Sequence, residues 1–250
     1  AESTVAFKAG FLQRPIVNEY LEILWECMKN IWPQLKRVKR LFKINLSHDV
    51  DSPFAFAFKS QMQAIKSAAG TLIRTKSIKQ SRAVILDWRK VANGEDDADP
   101  HYTFDWIMDQ AEKANLTTTF FFITDSTHKT RDGDYSIYHP RIRKLLCHIS
   151  SRGHNLGIHF SYNTYMNREQ VFREVKIFKE VCDQEGISQN ILGSRQHCLR
   201  WKTPVTFQNL EEAGLHYDTS MGFPSRSGFR CGVCYEFPVF NVISAQKLNL

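Results

Sequence analysis

The order of apolar and polar residues along the chain predicts helices and strands in alternation. Apolar residues recur at helical spacing in segments that we predict to be helices, namely residues 16–32, 61–75, 103–115, 140–152, 168–185 and 206–213. Short apolar or alternating stretches predict strands at residues 41–46, 83–88, 117–123, 156–159 and 235–240. Such alternation is typical of parallel strands with helices packed outside them, so we expect an α/β fold.

Polar residues cluster at positions where predicted strands end or are expected to end. The clusters are residues 47–51, 159–163 and 194–201. In parallel α/β folds the carboxyl ends of the strands carry the chemistry. We therefore expect these clusters to meet in one functional site.

The first cluster contains two carboxylates, Asp49 and Asp51, with His48 beside them. Such a pair can bind a divalent metal, or it can divide into one metal ligand and one general base. Two other interpretations stay open: carboxylates that cap backbone amides, and the Asp-x-Asp motif of phosphatases that form an aspartyl-phosphate. Pro53 stands where that phosphatase motif has Thr or Val, which favours the metal site.

The second cluster begins with His159 at the end of a predicted strand. Ser161, Tyr162 and Asn163 follow it closely, and this polar setting favours a metal ligand over a core histidine. His154 stands at the start of the same strand, where we expect it to make structural hydrogen bonds. His159 is therefore the candidate ligand of this cluster.

Four motifs, in this order and spacing, resemble the NodB-homology polysaccharide deacetylases of carbohydrate esterase family 4. They are SHDVDS at 47–52, GIHFSYNT at 157–164, RQHCLRW at 195–201 and GLHYDTSMG at 214–222. More narrowly, they resemble an uncharacterised bacterial branch with an extra N-terminal region. The resemblance covers about residues 42–240 and implies a distorted (β/α) barrel over residues 42–250, expected to lack its last pieces. Residues 1–41 would be the tail of the N-terminal extension, with one helix and a basic connector.

The resemblance also implies which residues carry the chemistry. Asp49 matches the general base, and Asp51 and His159 match ligands of a divalent metal, for which Zn²⁺ is the expected ion. Asn163 stands where the family has its second histidine ligand, and an amide oxygen is a poorer zinc ligand than imidazole. Arg195 matches the arginine that orients the base.

Further residues are assigned by the same resemblance, with alternatives. Arg200 is the fallback for the orienting arginine, and Asp218 matches a residue that lines and braces the site; both are also candidates for binding the substrate. Tyr162 and Trp201 are candidates for stacking on sugar rings, with core packing as the alternative. No histidine follows His216 to serve as the family's late general acid, so His48 and His197 are the candidates for that role.

The expected function is thus a metal-dependent hydrolase that removes acetyl groups from an N-acetylated or O-acetylated saccharide. The alternative is a catalytically impaired carbohydrate-binding or scaffold protein with the same fold, favoured by Asn163 and by the missing late histidine. Metal binding would separate the two.

Composition changes this picture little. Lys and Arg number 33 and Asp and Glu 26, and a net charge of +7 without a recognised motif predicts no nucleic-acid partner. The apolar stretches are too short for a membrane helix, which needs about 20 residues. The six cysteines are expected to be free thiols, and with no signal peptide they favour a cytoplasmic protein. The oligomeric state is left open.

Overall fold

The computed structural model describes residues 1–250 and centres on one parallel sheet. Its helices are α1 (Val5–Lys8), α2 (Ile16–Ile31), α3 (Gln61–Thr75), α4 (Ile78–Ala92), α5 (Phe104–Lys113), α6 (Pro140–Ser151), α7 (Arg168–Gln184) and α8 (Val205–Glu212). Its strands are β1 (Leu46–Val50), β2 (Thr118–Ile123), β3 (Asn155–Phe160), β4 (Gly193–Gln196), β5 (Tyr217–Asp218), β6 (Phe240–Asn241) and β7 (Gln246–Lys247).

The central sheet has the strand order β1-β2-β3-β4-β5, and every pairing in it is parallel. Helices connect the successive strands, so the predicted α/β fold is confirmed. β1 and β5 each pair with one strand, and these pairings do not show a closed barrel. β6 and β7 form a separate antiparallel pair near the end of the chain.

One face of the sheet forms the main apolar core. Side chains alternate along a strand, so Phe120 and Phe122 of β2 point to the same face, where Ile158 of β3 joins them. Met108 of α5 and Phe178 of α7 pack into the same cluster, and all five side chains are almost completely buried. Burying a side chain of this size contributes about 1.5–3 kcal/mol to stability, so this face holds the helices on the sheet.

The opposite face of the sheet carries the polar clusters beside the buried Phe121 and Ile123, and it is strongly curved. In a flat sheet, three strand spacings of about 4.8 Å would place β4 about 14 Å from β1. Arg195 of β4 nevertheless donates hydrogen bonds to Ser47 Oγ at 2.6 Å and to Asp49 Oδ1 at 2.8 Å, both on β1. Gly157 makes room on this face, since a Cβ there would lie 2.4 Å from the Phe121 ring. The sheet therefore curves around the face that carries the polar clusters.

The predicted helices are confirmed to within a few residues at each end. α3 has the predicted bounds, and the predicted helix at residues 16–32 is observed as α2. Gly153, Gly186 and Gly214 follow the ends of α6, α7 and α8 with φ of +79°, +67° and +78°. That left-handed conformation is the usual end of a helix and costs glycine little.

Several strand predictions are wrong. Residues 83–88 lie inside α4, because their apolar side chains belong to a helical repeat that begins after the N-cap Ser77. The first strand does not span residues 41–46 but begins at Leu46 and continues into the polar cluster. Of residues 235–240, only Phe240 is in a strand.

The N-terminal segment packs on the loop that follows β5. The Val17 N–H donates to Gly232 O at 2.9 Å, and Asn18 Oδ1 accepts a hydrogen bond from the Cys234 N–H at 2.8 Å. All six cysteines are free, as predicted. No helix of the chain combines the length and the apolar character needed to cross a bilayer.

Candidate functional site

Three side chains from three strand ends form a group that could hold a metal ion. Asp51 follows β1, His159 lies near the end of β3, and His197 follows β4. Their ligand atoms lie within 4.8 Å of one another. His159 Nε2 is 3.3 Å from Asp51 Oδ1, and His197 Nδ1 is 3.7 Å from the same oxygen.

The hydrogen bonds of His159 determine which ring nitrogen faces this group. Its Nδ1 lies 3.0 Å from the Arg195 carbonyl oxygen, and a carbonyl only accepts hydrogen bonds, so Nδ1 carries the proton. In the neutral ring, Nε2 then presents a lone pair to the Asp51 carboxylate. Lone pair and carboxylate repel each other unless a proton or a cation lies between them. The site is therefore built to hold a positive charge at this point.

His197 is buried and has an unused ring nitrogen. Its Nδ1 has no hydrogen-bond partner, although the residue is only 7 % exposed. Burial, together with the nearby His159, lowers the pKa of His197, which favours the neutral ring that binds metals. The backbone turns sharply after His197, with left-handed conformations at Cys198 and Leu199.

Asp51 completes the group from the solvent side. Its side chain is 55 % exposed, in contrast to the two enclosed imidazoles. Burial alone would raise the pKa of Asp51, but a positive charge on the neighbouring imidazoles, that of a protonated His159 first and of His197 second, outweighs burial and lowers the pKa. Asp51 is thus an ionised carboxylate at the mouth of the group.

Asp49 lies beside the group and is held by Arg195. One guanidinium nitrogen of Arg195 donates to Asp49 Oδ1 at 2.8 Å, and the other two donate to Ser47 Oγ and Thr219 Oγ1. The second oxygen of Asp49, Oδ2, lies 4.0 Å from His159 Nε2. Arg195 therefore fixes one oxygen of Asp49 and leaves the other directed toward the candidate metal ligands.

Two further carboxylates, which the sequence analysis missed, hold the loops around the site. Glu174 of α7 accepts hydrogen bonds from the Ser161 N–H and hydroxyl and from the Thr164 hydroxyl. Asp132 accepts hydrogen bonds from the backbone N–H groups of Thr127, His128 and Tyr162. Glu174 had a detectable signal, because it shares a helix face with Val171, Val175 and Phe178, where a charged residue is unexpected.

Asn163 and Arg200 contact each other at the rim of the site. Asn163 Oδ1 accepts a hydrogen bond from Arg200 Nη1 at 3.2 Å, and its amide nitrogen donates to Thr127 O at 3.0 Å. The three-residue group forms without Asn163, and His197 supplies its second imidazole. Tyr162, predicted to contact a sugar, lies with its ring centre 6.2 Å from that of His197.

Three other predicted site residues lie away from this group. His48 points to the opposite face of the sheet, where its ring packs 5.4 Å from that of Phe120, and burial lowers its pKa. Trp201 packs against Phe207 with ring centres 5.2 Å apart. This contact agrees with core packing, the alternative to sugar stacking for this residue. The Asp218 carboxylate is enclosed by hydrogen bonds from Ser194 and Ser220, so it braces the strands behind the site.

A cleft of about 190 Å³ runs along the open edge of β1 and reaches both aspartates of the site. It is lined on one side by residues 48–53 of β1 and the turn that follows, and on the other by residues of α5 and the segment before it, including His101 and Phe104. His159, His197 and Arg195 do not line this cleft, so it lies beside the three-residue group and does not enclose it.

Comparisons with known proteins add information about the N-terminal segment alone. A family described as a family of unknown function (DUF7033) matches residues 1–33. No curated protein and no solved structure matches the chain significantly. The matched residues contain α1 and α2 and none of the site residues.

Proposed function

We propose that this protein is a metal-dependent hydrolase that removes acetyl groups from an N-acetylated or O-acetylated saccharide. One observation carries the proposal: the Asp49 carboxylate, held by Arg195, lies beside three potential metal ligands from separate strand ends. A base next to a metal site is the arrangement that hydrolysis of an amide or ester requires. The curved parallel sheet supports a distorted (β/α) barrel like that of the polysaccharide deacetylases.

The residues of the three-residue group fit a divalent ion. His159 Nε2 presents a lone pair toward Asp51, and His197 Nδ1 is buried without a partner. Two imidazoles and one carboxylate are a ligand set that zinc accepts with a further position open, so we name Zn²⁺ as the expected ion. A divalent ion held here supplies Lewis-acid activation of a water molecule and of the acetyl carbonyl.

Asp49 acts as the base. Its Oδ1 is occupied by Arg195, whereas Oδ2 has no hydrogen-bond partner and faces the candidate ligands. Oδ2 accepts a proton from the attacking water, and the water oxygen adds to the acetyl carbon. The same proton then passes from Asp49 to the leaving nitrogen or oxygen of the sugar, which releases acetate and the deacetylated saccharide. Arg195 keeps Asp49 in position during both transfers.

Replacing the base tests this assignment. Asp49→Asn cannot accept a proton, so we expect acetate release from an N-acetylglucosamine oligosaccharide to fall at least about 100-fold. Zinc content, measured on the same preparations, should stay unchanged, because this substitution leaves the three ligands in place. Asp97→Asn is the matched control, since Asp97 is exposed in the short 3₁₀ helix Asp96–Ala98 and forms no hydrogen bond or ion pair with a site residue. An Asp49→Asn variant as active as the wild type would show that Asp49 is not the base.

A second candidate function is a carbohydrate-binding protein without catalysis. It is favoured by Asn163, whose side-chain amide is hydrogen-bonded to Arg200 and to the Thr127 carbonyl. It is also favoured by the placement of His48 on the opposite face of the sheet. A wild-type protein that binds the oligosaccharide but holds no zinc and releases no acetate would favour this function over hydrolysis.

A further inference from the structure

Two arginines lie against one tyrosine at the rim of the site. The Arg200 guanidinium carbon is 4.0 Å from the centre of the Tyr162 ring and 4.1 Å from that of Tyr165. The Arg131 guanidinium carbon is 5.3 Å from the Tyr162 ring. We call Arg131, Tyr162, Tyr165 and Arg200 the arginine rim. Because the Tyr162 ring is 6.2 Å from that of His197, the rim adjoins the candidate metal ligands.

Neither arginine of the rim has a carboxylate partner. Arg195 and Arg152, by contrast, each contact at least one carboxylate within 4.0 Å. Arg200 donates from Nη1 alone, to Tyr162 O and to Asn163 Oδ1, which are both neutral. Its Nε and Nη2 and the whole Arg131 guanidinium make no hydrogen bond within the chain. Most of the donors in these two fork-shaped groups are therefore available to a ligand.

The loops that carry the rim are held in place before any ligand binds. Asp132 is the neighbour of Arg131 in the chain. Its carboxylate accepts hydrogen bonds from backbone N–H groups, including that of Tyr162 at 2.6 Å. Glu174 fixes Ser161, the residue before Tyr162, through hydrogen bonds to its N–H and hydroxyl. Stacking on tyrosine also restricts the Arg200 side chain. A rim ordered in this way loses little entropy when it binds an anion.

From these contacts we infer that the substrate of this site is a saccharide that carries an oxyanion, a carboxylate or a phosphate, and that Arg131 and Arg200 bind this group. The inference rests on the proposed function, because it names the class of saccharide for the same site. The fork-shaped donors of a guanidinium group match the planar oxygens of a carboxylate and the oxygens of a phosphate. The Tyr162 ring, which both arginines contact, lies 6.2 Å from that of His197, so an oxyanion bound at the rim is adjacent to the candidate metal ligands.

The test compares acidic and neutral saccharides in an equilibrium binding experiment. The probes are a hyaluronan tetrasaccharide (carboxylate), N-acetylglucosamine 6-phosphate (phosphate), and their neutral counterparts, fully N-acetylated chitotetraose and N-acetylglucosamine. The zinc-loaded Asp49→Asn variant is titrated by calorimetry, so that turnover does not disturb the measurement. We expect at least one acidic probe to bind about 10-fold more tightly than its neutral counterpart in 50 mM salt, and this preference to shrink in 0.5 M salt. Whichever acidic probe shows the preference identifies the oxyanion.

Variants separate a binding role from simple packing. Arg131→Gln, made in the Asp49→Asn background, should weaken the preferred acidic probe about 10-fold and the neutral probe less than about twofold. Arg200→Lys, which keeps the charge but loses the fork, should weaken the acidic probe by a smaller factor. Arg82→Gln is the matched control, because Arg82 is exposed on α4 and has no carboxylate partner.

Equal affinity for acidic and neutral probes would overturn the inference, and so would equal weakening of both by Arg131→Gln. Acetate release by the wild type is measured separately on all four probes. A preference for acidic probes without acetate release from any of them would support the inference about binding and contradict the hydrolase. Acetate release without a preference for acidic probes would support the hydrolase and contradict the inference about binding.

Discussion

Two pairs of carboxylates lie near the carboxyl edge of the sheet, and their surroundings are opposite. Glu174 and Asp218 are enclosed, and both oxygens of each accept hydrogen bonds from serine, threonine or backbone donors. Asp49 and Asp51 are partly exposed, and they face arginine and imidazole groups rather than hydroxyls. The first pair is satisfied within the protein, whereas the second leaves oxygen atoms free.

The pKa directions reflect the same difference. Burial raises the pKa of Glu174 and of Asp218, although their hydrogen bonds oppose the effect. The pKa of Asp51 is lowered, because the neighbouring histidines outweigh its burial. A carboxylate that braces the fold is thus distinguished from one available for chemistry by its partners, although both kinds lie near the carboxyl edge of the same sheet. This difference can be tested by mutating one member of each pair.

The largest expected effect is the loss of stability on removing Glu174. Glu174→Ala leaves the buried Ser161 and Thr164 donors without their acceptor, so we expect the free energy of unfolding to fall by about 3 kcal/mol. Asp51→Ala, in the metal-free protein, should change it by less than about 1 kcal/mol, because that side chain is half-exposed. Urea unfolding of both variants checks the comparison, and equal losses would contradict it.

A smaller effect is the pH dependence of stability that Glu174 produces. Because the folded-state pKa of Glu174 is raised, the folded protein binds more protons than the unfolded one above the ordinary glutamate pKa of about 4.3. The contribution of Glu174 to stability is therefore fully present at lower pH and declines as pH rises through its folded-state pKa. Glu174→Gln does not titrate, so the stability advantage of the wild type over this variant should shrink from pH 4.5 to pH 8. An advantage that grows with pH would show that the pKa of Glu174 is lowered instead.

The smallest expected effect concerns Asn163. Its amide oxygen is held by Arg200, and the three candidate ligands converge without it. We therefore expect Asn163→Ala to change zinc affinity by less than about threefold, as for a residue outside the ligand set. Zinc titration against a competing chelator gives the ratio. A loss of 100-fold or more would instead place Asn163 among the ligands.

The helices could be predicted from the sequence because their signals are local. Apolar spacing within a helix and a glycine just after it are read from neighbouring residues, and Gly186 and Gly214 do end α7 and α8. The buried strand β2 is equally plain, since all its side chains are enclosed. The strand predicted at residues 83–88 is wrong because these apolar residues, taken alone, are as short as a strand. They belong to the longer helical repeat of α4.

β1 could not be placed from local pattern, because its polarity has a distant cause. Asp49 and Ser47 are strand residues whose polar side chains face Arg195, which lies 146 residues beyond Asp49 in the chain. In isolation the same residues suggest a loop. The polar side chains of the candidate site therefore interrupt the alternating apolar pattern by which a strand such as β1 is predicted from sequence.

Only part of the candidate site could be predicted, because some of its residues come together only in the fold. Asp51 and His159 could be proposed as ligands from their places at strand ends and from the resemblance. The sequence favours His197 only as an acid, because its 3.7 Å approach to Asp51 joins the ends of two strands that are not neighbours in the sheet. Arg131 could not be identified as a candidate binding residue from the sequence, because only its contact with Tyr162 in the fold brings it to the site.

Zinc binding by the wild type and by His197→Ala tests the central claim most directly. Both proteins, together with Asn163→Ala as a control, are loaded with zinc, dialysed and titrated with a competing chelator. We expect about one zinc ion per chain in the wild type, and an affinity at least about 100-fold lower in His197→Ala with the fold intact by circular dichroism. A wild type that holds no zinc, or a His197→Ala variant that binds it as tightly as the wild type, would contradict the account.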